Sequence, residues 1–340
     1  MASVGIVSYR LGEVDGVSVE AAKWANAFSL LGHDIHLVAG SGGDGVHLVD
    51  GLSMHEAGPV DLDTLHEELE GLDVVVVENL CSLPLNPGAS SAVADVLKGR
   101  PAILRHHDLA WQRPDTAHFG APPDDPSWRH VTINRYSQQQ LAEHGIDATC
   151  LYNRFRIDPP SGDRERTRSA LRFNQDDLLV VQPTRALPRK NVPGGLRLAE
   201  ELEATYWLTA AAEDGYQPEL DSILEGATIP VLRGQGPGSI DDVYAAADLV
   251  VLPSTWEGFG NPTIESVTHH RPLALGDYPV AAEIRSFGFR FFGLDDVSDL
   301  AAYLQDPDES LLAQNLEIAK EHFDIARLPD ELDRLLDSLP

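Results

Sequence analysis

Short apolar runs bounded by turn residues recur along the 340-residue chain. In the first half they are SVGIVSY (3–9), DIHLVAG (34–40), DVVVVEN (73–79), PAILRHH (101–107), HVTINR (130–135) and ATCLYN (148–153). None shows the polar alternation of a half-exposed strand, so each predicts a strand covered on both faces, as in a parallel sheet. Between the first two, Val17, Ala21, Trp24, Ala25, Phe28 and Leu31 recur at three- and four-residue spacing before Gly32, which predicts a helix over Val17 to Leu31. Strand, helix, strand is the βαβ unit.

From Asn153 to Arg168 the pattern breaks into NRFRIDPPSGDRERTR, a polar, Pro- and Gly-containing linker. Apolar runs then resume as DDLLVVQP, TYWLTA, TIPVLRG, DLVVLPS, PLALGD and FRFFG, with helices predicted over Ser239 to Ala247 and Pro262 to His270. From Ser298 onward Ala301, Leu304, Leu311, Leu312, Leu316 and Ala319 keep helical spacing in an acidic background. The expected fold class is α/β, with two Rossmann-like, doubly wound parallel-sheet domains facing a central cleft. The expected division is residues 1–155, residues 156–322 and a terminal helix over 323–340 that packs back on the first domain. Ligands of such folds bind at the carboxyl ends of the strands, so the chemistry belongs in strand-to-helix loops.

Composition narrows the partners. Acidic residues number 54 against 25 basic ones, a net charge of -29, and this field repels nucleic acid and anionic lipid. A phosphate site must then be built locally. Lysine is scarce (Lys23, Lys98, Lys190 and Lys320), which fits either a GC-rich genome or a salt-adapted organism. Cys81 and Cys150 are far apart and no secretory pattern accompanies them, so a reducing, cytoplasmic setting is expected. No run approaches the roughly 18 apolar residues that span a bilayer, and MASVGIVSYR has no basic leader, so a protein neither secreted nor integral to a membrane is expected.

The segment STWEGFGNPTIES (254–266) follows the run DLVVLPS and enters a helix, with Pro262 suited to the first helical turn. Its glycines let a ligand approach backbone N–H groups beside the positive end of a helix dipole. Glu257 in the loop and Glu265 in the first helical turn can face one volume as hydrogen-bond acceptors, which suits vicinal sugar hydroxyls. The same spelling also fits a solvated loop glutamate followed by a dipole-stabilised helix carboxylate.

The stretch PSTWEGFGNPTIESVTHHRPLALGDYPVAAEI resembles the donor-site signature of glycosyltransferase family 4, retaining enzymes of the GT-B fold, whose two glutamates are separated by seven residues. QPTRALPRKN resembles the family's arginine and lysine pair, and DDVYAAADLVVLPS the helix and strand that lead to the glutamates. In the first half, GVSVEAAKWANAFSLLGHDIHLV resembles the first helix, AILRHHDLAW the strand ending in the acceptor-side histidine, and LYNRFRID the motif closing that domain. Where the family often has two glycines, this chain has Asp15 before Gly16, which adds bulk and negative charge beside the expected diphosphate.

The resemblance implies Arg185 and Lys190 as ligands of the donor diphosphate, since a leaving nucleoside diphosphate gains charge as the glycosidic bond breaks. It implies Glu265 on the ribose, and Glu257 with Gly258, Phe259, Gly260 and Asn261 on donor sugar and phosphate. Gly16, Arg233 and Gln235 are further donor contacts. His107 contacts the donor sugar and faces the acceptor, with His106 the alternative one residue away. Arg189 is expected to point elsewhere from its turn. The catalytic set is thus His107, Glu257, Arg185 and Lys190.

A metal at His106, His107 and Asp108 is disfavoured, because consecutive strand residues face opposite sides. Asp61 to Asp63 and Asp306 to Asp308 each spell Asp-x-Asp, yet each opens a predicted helix, where aspartate caps. The expected protein is a metal-independent retaining hexosyltransferase without cofactor. It uses a nucleotide-diphosphate sugar and a hydroxyl acceptor, which is a saccharide, a small molecule or a lipid-linked compound. Transfer would follow same-face attack, with Glu257 orienting the sugar. The rivals are a non-catalytic nucleotide-sugar binder and a dinucleotide-dependent oxidoreductase; the second is opposed by YRLGEVDGVS, which is not Gly-x-Gly-x-x-Gly. The rings of Trp111, Phe119 and Trp128 either anchor their long loop or stack on a sugar, and anchoring is favoured.

Overall fold

The computed structural model describes residues 1–13, 15–54, 58–213, 215–234, 236 and 238–340. The chain falls into two compact units, Met1–Arg154 with Ala326–Pro340, and Phe155–Ile325.

In the first unit the elements run β1 (Ser3–Leu11), α1 (Gly16–Leu30), β2 (Asp34–Gly42), β3 (Val46–Leu48), α2 (Leu62–Leu69), β4 (Val74–Glu78), α3 (Pro87–Leu97), β5 (Ala102–His106), β6 (Trp128–Thr132), α4 (Arg135–Glu143) and β7 (Ala148–Cys150). All strand pairs are parallel, in the order β3-β2-β1-β4-β5-β6-β7. The whole of β4, Val-Val-Val-Val-Glu, is buried, as a strand covered on both faces requires. One face packs Val7, Val38, Val75 and Val77 against Leu65 of α2 and Val93 of α3. Fully burying each aliphatic side chain contributes roughly 1.5–3 kcal/mol, and this contiguous patch holds the layer together. The Asp61 carboxylate caps α2, as the sequence anticipated for that Asp-x-Asp.

The second unit comprises α5 (Arg164–Ala170), β8 (Leu179–Gln182), α6 (Val192–Glu201), β9 (Thr205–Leu208), α7 (Gln217–Glu225), β10 (Val231–Arg233), α8 (Ile240–Ala246), β11 (Leu249–Leu252), α9 (Pro262–Thr268), β12 (Leu273–Leu275), α10 (Pro279–Arg285), α11 (Val297–Gln305) and α12 (Glu309–Phe323). Its sheet is parallel with order β10-β9-β8-β11-β12. The last helix, α13 (Leu328–Asp337), belongs to the first unit, where it lies against α1 and Glu331 pairs with Arg154.

Three expectations change. The predicted linker extends only partway, because α5 begins inside it: Asp163 caps the helix, and Arg164 and Arg168 both reach Asp248. FRFFG forms no strand and keeps a single bridge from Phe292 to Ala274. The short edge strand β3 lies in GDGVHLVD, where three extended residues among polar neighbours leave too weak a pattern to read. Trp111 and Trp128 are anchors: Trp128 is buried in β6 and donates to the Leu97 carbonyl, while Trp111 stacks on His144 and donates to Gln140. Among the described residues no helix is long and apolar enough to cross a membrane. Neither Cys81 nor Cys150 is in a disulfide.

Candidate active site

Each sheet reverses its strand order once, between β1 and β4 in the first unit and between β8 and β11 in the second. A doubly wound sheet opens its binding crevice there, at the carboxyl ends of the strands. In the second unit the two loops at that point are Pro183–Asn191 and Pro253–Asn261. They are stitched together. Asn191, in the left-handed region at φ 48, accepts from Gly194 N and donates to the Pro253 carbonyl at 3.0 Å. Thr255 N donates to the Arg189 carbonyl at 2.9 Å, and Gln182, held by the Tyr206 hydroxyl, donates to the Lys190 carbonyl at 3.0 Å. The backbone of residues 189–190 therefore has little freedom to move.

Glu257 is 5% exposed and collects three donors. Lys190 Nζ lies 2.5 Å and Ser254 Oγ 2.6 Å from Oε1, and Arg189 Nη1 lies 2.9 Å from Oε2. Burial pushes the Glu257 carboxyl up, but Lys190 and Arg189 outweigh it and hold the group below the usual carboxylate range. For Lys190, burial pushes the ammonium down against the pull of Glu257, and Arg189 adds repulsion. Two cations meet at one carboxylate, so positive charge is gathered at the switch point of this sheet.

Arg189 thus joins the site, contrary to the expectation that it points away. Pro188–Lys190 is a single 3₁₀ turn, and the arginine stem is long enough to bring both neighbours to one carboxylate. The readable signal was the Arg-Lys doublet itself. Arg185 instead pairs with Glu213, and Arg233 pairs with Asp221 on exposed surface. Gln235 lies outside the described residues. Glu265 accepts from the buried Tyr244 hydroxyl at 2.7 Å, and the Tyr244 ring stacks on His269 at 4.5 Å. The side chain of Phe259 is buried between Phe155 and Phe323, at 5.7 and 5.9 Å, and pins the Gly-Phe-Gly loop. Gly260 sits at φ +81, and a Cβ there would meet the Tyr278 hydroxyl at 2.9 Å, so this position requires glycine. Gly258 and Asn261 flank the pinned turn, and Asn261 leads directly into α9.

In the first unit, strand alternation separates the two histidines. Glu78 and Arg105 are neighbours in register, and His107 follows Arg105 on the same side. Glu78 accepts from Arg105 Nη1 at 3.1 Å and bonds His107 Nε2 at 2.6 Å. Arg105 also donates to Glu20 and Asn153 and lies 4.3 Å over the Trp24 ring. Burial raises the Glu78 carboxyl, yet Arg105 and His107 together leave it below its ordinary range. His106 faces the other side, where its Nε2 lies 2.9 Å from His130 Nδ1. Burial, with His130 and His107 nearby, holds its imidazole well below its ordinary value. The Asn79 side chain accepts from the backbone N–H of both His107 and Asp108, fixing the turn after β5. Sequence reading missed Glu78 because it closes an apolar strand. Asp15 spends its charge locally: it caps α1 through Val17 N and Ser18 N and pairs with Arg10. Gly16 is exposed, with open space where a Cβ would stand.

Residues 163–306 match the family described as Glycosyl transferases group 1. The chain is a glycosyltransferase that carries a group 1 match over that segment. Nearly end to end, this glycosyltransferase is similar to the mannosylglucosylglycerate synthase of Thermotoga maritima, 25% identical over 97% of this chain and 99% of the relative. It is likewise 25% identical to the Petrotoga mobilis enzyme of that name, over 98% and 95%. Among solved structures it is similar to HepE of Anabaena, in complex with UDP and glucose, with TM-score 0.77 and 17% identity over the whole of both chains. WaaG, involved in lipopolysaccharide biosynthesis, follows with TM-score 0.66 and 14% identity over 98% of this glycosyltransferase and 100% of WaaG. The fold is GT-B, built from two Rossmann-like domains, and the protein is a transferase.

Proposed function

We propose that this glycosyltransferase moves a hexose from a nucleotide-diphosphate sugar to a hydroxyl acceptor, with retention at the anomeric carbon, as family 4 enzymes do, and without a metal ion or cofactor. The observation that carries the reading is the meeting of Arg189 and the buried Lys190 on the buried Glu257 carboxylate at the switch point of the second sheet. In a chain of net charge -29, two cations gathered in one place suit a diphosphate.

In the reaction the bond from the anomeric carbon to the diphosphate oxygen breaks and a bond from that carbon to the acceptor oxygen forms on the same face. The acceptor's proton passes to the departing phosphate oxygen. Lys190 and Arg189 stabilise the charge that develops on the leaving group, with Arg185 as a further cation of the same loop. Glu257 holds those cations in place and orients the sugar beside Gly258, Phe259, Gly260 and Asn261. Glu265, oriented by Tyr244, accepts from the ribose hydroxyls. In the first unit, His107, held by Glu78, takes the role of the family's acceptor-side histidine, and Gly16 that of its donor-loop glycine, by resemblance. Arg233 is assigned to the side of the nucleotide base, and for Gln235, outside the described residues, the assignment rests on the sequence alone.

Several considerations support the donor and acceptor classes. HepE binds UDP-glucose, and the full-length relatives are named for building mannosylglucosylglycerate, so a small soluble saccharide acceptor is preferred to a lipid-linked one. Cys81 and Cys150, neither in a disulfide, suit a reducing cytoplasm. The test is to incubate purified protein with UDP-, GDP- and ADP-hexoses and glycosylglycerate acceptors in chelator, and to read the anomeric configuration of the product by NMR. Inversion of the anomer, or transfer that stops in chelator and returns with magnesium, overturns the corresponding part of the proposal.

A further inference from the structure

We propose that His36, His47 and Glu68 form a zinc site at the edge of the first unit's sheet, a structural staple separate from sugar transfer. Their ligand atoms lie within 4.8 Å of one another. His36 Nε2 is 2.7 Å and His47 Nδ1 3.0 Å from the same oxygen, Glu68 Oε2, and the two rings lie 4.2 Å apart, centroid to centroid.

The backbone explains the convergence. His47 of β3 stands opposite Val38 of β2, and His36 is two residues before Val38, so both imidazoles occupy one face of the sheet. That is the face α2 covers, since Val38 and Leu65 share a core. Glu68 stands one turn beyond Leu65 and reaches the same edge. Three ligands thus come from three elements, at positions fixed by strand register and helix packing.

The donor set selects the metal class. Two imidazole nitrogens and one carboxylate oxygen suit zinc and other late first-row ions, whereas calcium and magnesium take oxygen ligands. Zinc bonds of about 2.0–2.2 Å in a tetrahedron place ligand atoms about 3.3 Å apart. The carboxylate-to-imidazole distances already approach this, and side-chain rotation closes the remainder. The His47 side chain is 49% exposed, which leaves a route for entry and a fourth position for water. The site is remote from the transfer chemistry, because His36 is opposite Gly5, near the start of β1, and not at the carboxyl ends of the strands. Its effect is to tie the three-residue edge strand β3 to α2.

The experiment uses the full chain, stripped with chelator and titrated with Co(II) and Zn(II). We expect one Co(II) per chain with visible absorption that Zn(II) bleaches, and a rise in Tm with Zn(II) that chelator reverses. His47→Ala, His36→Ala and Glu68→Gln should each weaken Zn(II) binding more than about tenfold, by analogy with outer-shell losses of 10–100-fold. Unchanged Tm of the metal-free variants shows that they fold. The chain has 13 histidines, so binding that persists undiminished in all three variants means ions held elsewhere and overturns the proposal, as does the lack of any saturable site.

Discussion

Lys190 and Glu257 stand 67 positions apart in the chain, and the Lys190 ammonium lies 2.5 Å from the Glu257 carboxylate with both side chains buried. Buried charges are costly alone, and removing one partner of such a pair typically costs about 3–5 kcal/mol. Lys190→Ala should therefore lower stability by about that order and abolish donor binding. The double change Lys190→Met with Glu257→Gln should recover part of the stability, because no isolated carboxylate remains, while transfer stays lost. Denaturant melts alongside transfer rates separate the two effects; recovery of activity in the double variant would remove the pair from the site.

Arg189 and Arg233 offer a contrast between a cation aimed at a buried carboxylate and one spent on the surface. Arg189→Ala should reduce kcat/KM about 100-fold, the order seen when one donor to a developing anion is removed. Arg233→Ala should stay within about threefold, because exposed pairs such as Arg233 with Asp221 contribute little. Steady-state kinetics with a saturating acceptor decides the ranking, and equal losses at both positions contradict it.

The sequence made the parallel strands legible because VVVVE and LVVL leave no face for water, and it made the donor loop legible because glutamates, glycines and Pro262 are consecutive in the chain. Arg189 was misplaced because a three-residue 3₁₀ turn aims neighbouring side chains together, a geometry that residue spacing does not encode. Glu78 was hidden at the end of an apolar strand, where only the register with Arg105 reveals its role. FRFFG reads as a strand by composition, yet its rings pack as anchors, with Phe289 stacked on Phe291 at 5.2 Å and Phe292 against Tyr303.

Tyr244 and Glu265 test the ribose assignment. Glu265→Ala removes the acceptor and should raise the donor KM about 100-fold, whereas Tyr244→Phe removes only the 2.7 Å bond that orients it. A hydrogen bond to a charged group contributes roughly 1.5–3 kcal/mol, so Tyr244→Phe should raise KM about tenfold with little change in kcat. Equal effects on deoxyribose and ribose donors would count against contact between Glu265 and the ribose hydroxyls.

Acid should destabilise the protein in two stages. Burial, first of all, holds the His106 imidazole well below its ordinary value of 6.5, and His130 is lowered for the same reason. The unfolded chain therefore binds protons there that the folded chain refuses, so this contribution is complete above about pH 6.5 and is lost as pH falls below it. For Glu78 and Glu257, burial is outweighed by their cations, and the folded carboxyls titrate below the ordinary 4.5. Their contribution is present above that value and is lost as pH falls through the folded pKa, so the sign is the same. Tm at about pH 5.5 should lie below Tm at about pH 7.5 at fixed ionic strength, with a second fall below about pH 4.5. His106→Gln should flatten the first stage and leave the second. A Tm that is level or rising between pH 7.5 and 5.5 would show that the buried pair of histidines does not govern this range.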